Sequence, residues 1–177
     1  MLEDNLIILR EFQEHDLVKW TSWFNDQGIT QYMNKGVFPN TLAQQKDHLR
    51  NLTTDKNNIQ LAIDLKGNKE PIFIGLIGLH NIDWVHGTGA ISILIGEDEG
   101  RGKGIGKKAI QLLVHHAFRK MNLRKINAGM WSKNIASKKA FEANGFQLEG
   151  VKKQEYFCDN EYLDSLEYGL LKKEWKK

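Results

Sequence analysis

Residues 91–118 read ISILIGEDEGRGKGIGKKAIQLLVHHAF, and the order of residue types along them decides the fold. Ile91, Ile93, Leu94 and Ile95 form a short apolar run between Gly89 and Gly96, which predicts a central strand. Gly100, Gly102, Gly104 and Gly106 then alternate with Arg101, Lys103, Ile105 and Lys107. Ile105, Ala109, Leu112, Leu113, His116 and Ala117 recur at helical spacing, so the glycine-rich loop opens a helix. The first amides of a helix lack internal partners, and with the positive end of the dipole they attract phosphate. Glycines bring a ligand close to those N–H groups with no Cβ in the way. Arg101, Lys103 and Lys107 add charge of the favourable sign. The expectation is a diphosphate cradle.

Three phosphate-loop patterns compete for this stretch. A P-loop needs GxxxxGK followed by Ser or Thr, but Arg101 stands where the first glycine belongs and Lys108 where the hydroxyl belongs. A dinucleotide fingerprint needs GxGxxG and an acidic residue about 20 positions on. Here the spacing is GxGxG, and Asn122, Leu123, Arg124 and Lys125 offer no carboxylate. Arg101, Gly104 and Gly106 after an apolar strand do fit R-x-x-G-x-G. That pattern resembles the cofactor loop of the GNAT superfamily of N-acetyltransferases. The resemblance implies that the loop holds the pyrophosphate of acetyl-CoA.

At 177 residues the chain is expected to form one domain, residues 1–177, with a substantial core. Its 41% hydrophobic and 27% charged residues suit a globular protein. The net charge is only +3, less than the four lysines Lys172, Lys173, Lys176 and Lys177 contribute, so no nucleic-acid partner is expected. Cys158 is the only cysteine, which excludes an intramolecular disulfide and a cysteine-rich zinc site. The opening MLEDNLIILREF has no basic n-region or cleavable apolar segment, and no run of about 18 apolar residues follows. A cytoplasmic protein with no membrane partner and no metal is expected.

Read in order, residues 6–12 predict a strand, and residues 14–24 a helix with Leu17, Trp20, Trp23 and Phe24 on one face. Residues 29–40 read as irregular, and Thr41 as the N-cap of a second helix. Strands are expected at 59–65 and 72–82, joined by a hairpin turn over Lys66, Gly67, Asn68 and Lys69. After the long helix come a strand at 125–131, a helix at 134–143 closed by Gly145, and strands at 146–156 and 162–171 around Asp159-Asn160. The expected class is α/β (α+β): a mixed central sheet of about seven strands flanked by about four helices.

The second half sharpens the resemblance. Residues 134–150, NIASKKAFEANGFQLEG, are similar to the GNAT N-x-x-A/S…GF…EG signature. IGLIGLHNIDW at 74–84, the E-Y-x-x-D-N-x-Y-x-D run at 155–164 and Glu174-Trp175 resemble the branch containing ribosomal-protein N-terminal and spermidine acetyltransferases.

Several roles follow from that resemblance. Main-chain groups of Ile93, Leu94 and Ile95 would hold the pantetheine arm like an added strand. Arg101, Gly102, Lys103, Gly104, Ile105, Gly106 and Lys107 would cradle the pyrophosphate. Asn134 would bond the cofactor arm or cap the following helix, and both roles can coexist. Many members place a tyrosine seven residues beyond the motif asparagine as the acid for the thiolate, but here Phe141 stands there. Ser137 matches a serine of the ribosomal branch and becomes the candidate acid. The glutamate of that branch falls on Tyr156, with Glu155 one step earlier. One step along a strand reverses the face, so Glu155 needs a bulge to aim it as a base. His80 and Asp83, at the end of a strand, are candidates to face the acceptor.

The implied chemistry is direct attack of an amine on acetyl-CoA in a ternary complex. The acceptor is a peptide N-terminus, or a small molecule such as a nucleotide-linked amino sugar or a polyamine. A CoA-binding module whose catalysis has lapsed is the rival, kept open by Phe141. Polyamines call for an acidic pocket, yet residues 28–45 contain no Asp or Glu. The expected oligomeric state is monomer or homodimer.

Overall fold

The computed structural model describes residues 2–67 and 70–176. One mixed sheet carries β1 (Leu2–Glu3), β2 (Ile7–Glu11), β3 (Ile59–Leu65), β4 (Ile72–Asp83), β5 (Thr88–Ile95), β6 (Lys125–Trp131), β7 (Gln147–Cys158) and β8 (Glu161–Leu171). Their spatial order is β1-β2-β3-β4-β5-β6-β8-β7, and every neighbouring pair is antiparallel except β5 with β6. The helices are α1 (Asp16–Phe24), α2 (Gln27–Thr30), α3 (Leu42–Thr54), α4 (Ile105–Arg119) and α5 (Ile135–Glu142). Among the described residues this makes eight strands where about seven were expected, and five α-helices where about four were. The additions are the two-residue β1 and the four-residue α2, both too short to carry a periodic signal. Asn68 and Lys69 of the expected hairpin turn lie outside the described residues, and β3 and β4 pair antiparallel on either side of them.

Alternation along the strands sends side chains into two cores. Ile77, Leu79 and Ile91 face α4 and meet Ile110, Leu113 and Val114. Leu76 and Leu94, opposite each other in register, face the other way and meet Trp20, Trp23 and Phe24 of α1. Burying one such aliphatic or aromatic side chain stabilises the fold by about 1.5–3 kcal/mol. α3 begins in a capping box: Thr41 Oγ1 accepts from the Gln44 amide at 3.2 Å, and Gln44 Oε1 accepts from the Thr41 amide at 2.9 Å.

An ionic cluster ties the α1 layer to the sheet. Arg10 on β2 donates from Nε to Asp64 of β3 at 2.7 Å, and from Nη1 and Nη2 to Asp16 of α1 at 2.7 and 2.9 Å. Asp16 is 1% exposed, so its charge depends on these partners.

The feature that positions the site is a seam. β5 and β6 pair only at Thr88↔Lys125, Gly89↔Ile126 and Ala90↔Asn127. Beyond them β5 continues from Ile91 to Ile95 paired with β4 alone, and β6 continues to Trp131 paired with β8 alone. The two strands part like a V, leaving one β5 edge free, and the glycine-rich loop lies just past the open end of that edge.

Candidate active site

The loop leading into α4 is shaped by glycine where only glycine is comfortable. Gly102 and Gly104 have φ of +70° and +74°, in the left-handed region, and Gly104 is the N-cap of α4. A Cβ at either would meet nothing within 4 Å, so the space before them is open. The amides of residues 102–107 find no protein acceptor among the described residues, whereas Lys108 N–H already donates to Gly104 O at 3.1 Å. Lys103 and Lys107 are exposed and have no ion-pair partner among the described residues, while Lys108 is committed to Asp4 at 2.8 Å. Arg101 is held by Asp98 at 3.0 Å. Unpartnered amides, two free ammonium groups and an open approach fit a diphosphate.

Ile93, Leu94 and Ile95 lie on the free edge of the seam. Leu94 sends its side chain into the α1 core, so only its main chain is available to a ligand. Asn134 is the N-cap of α5: its Oδ1 accepts from the Ser137 amide at 3.1 Å, and its amide NH2 has no partner among the described residues. The Ser137 side chain is half-buried, and its hydroxyl has no partner among the described residues. Phe141 is 2% exposed and packs edge-on against Phe146 at 5.1 Å, so this position serves the core.

The far side of the seam, on the α1 face of the sheet, has an aromatic wall. Tyr156 stacks on Trp131 with ring centroids 4.7 Å apart, and Tyr32 meets Trp131 edge-on at 6.4 Å. β7 does carry a bulge: its register against β8 shifts between Lys152 and Tyr156, with Gln154 at φ +53°. Asp164 pins it, accepting from the Gln154 amide at 2.9 Å and pairing with Lys153 at 3.4 Å. Glu155 within the bulge is exposed and has no ion-pair partner among the described residues.

His80 on β4 and Ser92 on β5 occupy the same face, with His80 Nε2 2.7 Å from Ser92 Oγ. Burial lowers the His80 pKa below its ordinary value. Asp83 is engaged in the following turn, accepting from the His86 amide at 2.8 Å. Near this face, Lys35, Phe38, Gln45 and His48 help line a cleft of about 290 Å3 between the 34–40 loop and α3. The Tyr32–Trp131–Tyr156 wall went unseen in the sequence because its members are up to 124 residues apart and share no motif. The His80–Ser92 pair was half visible, through His80 alone.

Among the described residues, no group of three or more His, Cys, Asp or Glu is placed to hold a metal ion. No helix is long and apolar enough to cross a membrane.

An open, cationic helix N-terminus beside a parted parallel pair suits a phosphate-bearing ligand, and comparison with known proteins gives the family. The model described as acetyltransferase (GNAT) domain matches residues 7–147, so the chain belongs to the GNAT acetyltransferases, which transfer acetyl from acetyl-CoA to an amine. It is 27% identical over 172 residues to the uncharacterized N-acetyltransferase p20 of Bacillus licheniformis, spanning 96% of this chain and 94% of that one. With the ribosomal-protein-serine acetyltransferase of Escherichia coli it shares 33% identity over 96 residues, 54% of this chain and 53% of that protein. The fold matches a spermidine N-acetyltransferase from Vibrio cholerae, solved in complex with CoA and spermine, with a TM-score of 0.85 at 23% identity over 97% of this chain and 98% of that one.

Proposed function

We propose that this N-acetyltransferase acts on the α-amine of a peptide or protein N-terminus. The observation that carries the reading is an acceptor side walled by Tyr32, Trp131 and Tyr156, beside a 28–45 segment with no carboxylate. A polycation would find no counter-charge in that segment. A peptide α-amine has a pKa of about 7.7–8.0, against about 10.4 for a lysine-like amine. Near pH 7.5 roughly a third of the former is already neutral, and about 0.1% of the latter. A site with Tyr156 where a glutamate base was expected is better matched to the acceptor that gives up its proton readily. The identity shared with the Escherichia coli ribosomal-protein-serine acetyltransferase points the same way.

In this reading the amides and cations of residues 101–107 hold the pyrophosphate, and the free edge at Ile93, Leu94 and Ile95 pairs with the pantetheine arm. The Asn134 amide NH2 reaches that arm while Oδ1 caps α5. Ser137 donates a proton to the departing thiolate, whose pKa is near that of cysteine at about 8.5. Tyr156 lines the acceptor entrance, and Glu155 stands exposed beside it in the bulge. Lys35 and His48 in the neighbouring cleft support a second reading, an amino sugar on an anionic nucleotide carrier.

The test is thiol release from acetyl-CoA over dipeptides, polyamines and nucleotide-linked amino sugars. The highest kcat/KM is expected with a dipeptide. Turnover confined to polyamines or to amino sugars would displace the peptide reading.

A further inference from the structure

The seam has an apex, and one side chain sits there that the roles above leave unused. β5 and β6 stay paired up to Ala90↔Asn127, and Ala90 is also the register partner of His80 on β4. His80 therefore lies in the row of the sheet where the strands part. Alternation puts it on the face opposite α4, the face shared by Ser92, Leu76 and Leu94. An arm entering from the cradle along the free edge of β5 would run past residues 95 to 91, roughly 13 Å at about 3.3 Å per residue, to within one residue of this row.

The ring is held in place by two neighbours. Nε2 lies 2.7 Å from Ser92 Oγ, and a Cβ on Gly78 would stand 2.9 Å from both Cε1 and Nε2 of the ring. The imidazole thus lies back over a position left bare for it. Nδ1 has no partner among the described residues. In a neutral imidazole one ring nitrogen donates and the other accepts. Here Nε2 is fixed by a hydroxyl, which leaves Nδ1 available.

We infer that His80 is the proton acceptor for the incoming amine, with Ser92 as the residue that fixes its tautomer. The inference rests on the reading of the seam as the place where acceptor and thioester meet. Nε2–H donates to Ser92 Oγ, which leaves the lone pair on Nδ1. An acceptor ammonium passes one proton to Nδ1, directly or through one water. The products are the neutral amine and an imidazolium whose Nε2–H bond to Ser92 is unchanged. The imidazolium then returns its proton to solvent.

The surroundings keep the ring neutral and ready. Burial lowers its pKa, and no charged group adds to the effect. From α3 the titratable group facing it is His48, itself lowered by burial first and then by Lys35 and His80. Ser92 faces it from β5, and the adjacent side chain on the same face of β3 is Gln60, neither of which carries charge.

The test compares pH profiles of kcat/KM for wild type, His80→Gln, Ser92→Ala and Glu155→Gln, using whichever amine the wild type turns over fastest. A failed peptide reading would change that amine and leave the comparison intact. For His80→Gln we expect kcat/KM to fall about 100-fold at pH 7. The deficit should shrink as pH rises past the acceptor's own pKa, with the dissociation constant for acetyl-CoA within twofold of wild type. Ser92→Ala should displace the acid limb of the profile with a smaller loss, and Glu155→Gln should leave that limb in place. A His80→Gln deficit equal at every pH, or a loss below threefold, overturns the assignment. So does a Glu155→Gln profile that alone loses the acid limb. If His80→Gln fails to fold, an acid limb unmoved in Ser92→Ala overturns it on its own.

Discussion

Trp131, the last residue of β6, and Tyr156, just past the bulge of β7, stack with centroids 4.7 Å apart and planes 18° from parallel. A stacked aromatic pair contributes about 0.5–1.5 kcal/mol beyond the area it buries. If the pair forms the acceptor wall, Tyr156→Ala should raise KM for the amine by up to about tenfold and leave acetyl-CoA affinity alone. Steady-state kinetics with the amine varied checks this, and Tyr156→Phe should behave nearly as wild type if the ring alone matters.

Gly104 caps α4 at φ +74° with open space before it. A β-branched residue there meets the steric cost of the left-handed region, on the order of 1–2 kcal/mol, and crowds the approach to the amides. Gly104→Val should weaken acetyl-CoA binding about tenfold or more, with the circular dichroism spectrum unchanged. Calorimetric titration measures it, and an unaltered affinity would remove the loop from the cofactor site.

Ser137 stands on the first turn of α5 with a half-buried, unpartnered hydroxyl. As the acid for the thiolate, its loss in Ser137→Ala should lower kcat by about 10–100-fold, with little change in the dissociation constant for acetyl-CoA. Rapid-mixing turnover beside equilibrium binding separates the two quantities. Wild-type turnover in the variant would retire the role.

Asp16 is buried against Arg10, and stability should follow its charge. Burial alone would raise its pKa, but the bonds from Arg10 and from the Gln13 amide outweigh this and hold it below the ordinary carboxylate value. A depressed folded pKa contributes stability that is fully present above the unfolded pKa of about 3.9. That stability is lost as pH falls through the folded value. Wild-type urea midpoints should therefore fall below about pH 4. Asp16→Asn should cost about 3–5 kcal/mol at neutral pH and show a shallower acid decline.

What could be read from the sequence was what is local. The change from an apolar run to period 3.6 across residues 91–118 pointed to strand, glycine-rich loop and helix because each depends on neighbours within a few positions. Asp159 and Asn160 announced the β7–β8 turn, and both take positive φ there. α2 left no trace because it is a single turn, held by local bonds such as Asp26 Oδ1 accepting from the Ile29 amide at 3.0 Å and Asp26 O accepting from the Thr30 amide at 3.0 Å. Phe141 looked like a gap in the catalytic set, yet its burial against Phe146 gives it a packing reason of its own. The bulge in β7 was the condition set for Glu155. It exists because Asp164, ten and eleven residues away on the paired strand, captures Gln154 and Lys153. Nothing within the strand's own sequence announces it.

Three parallel residue pairs are all the ladder that joins the sheet's larger half, β1 to β5, to β6, β8 and β7. A reagent lying along the bare edge would finish the ladder, so the substrate that is consumed would also serve as mortar. Each turnover would then loosen the masonry when the spent thiol departs, and deuterium uptake at residues 91–95 should rise and fall with the occupancy of that gap.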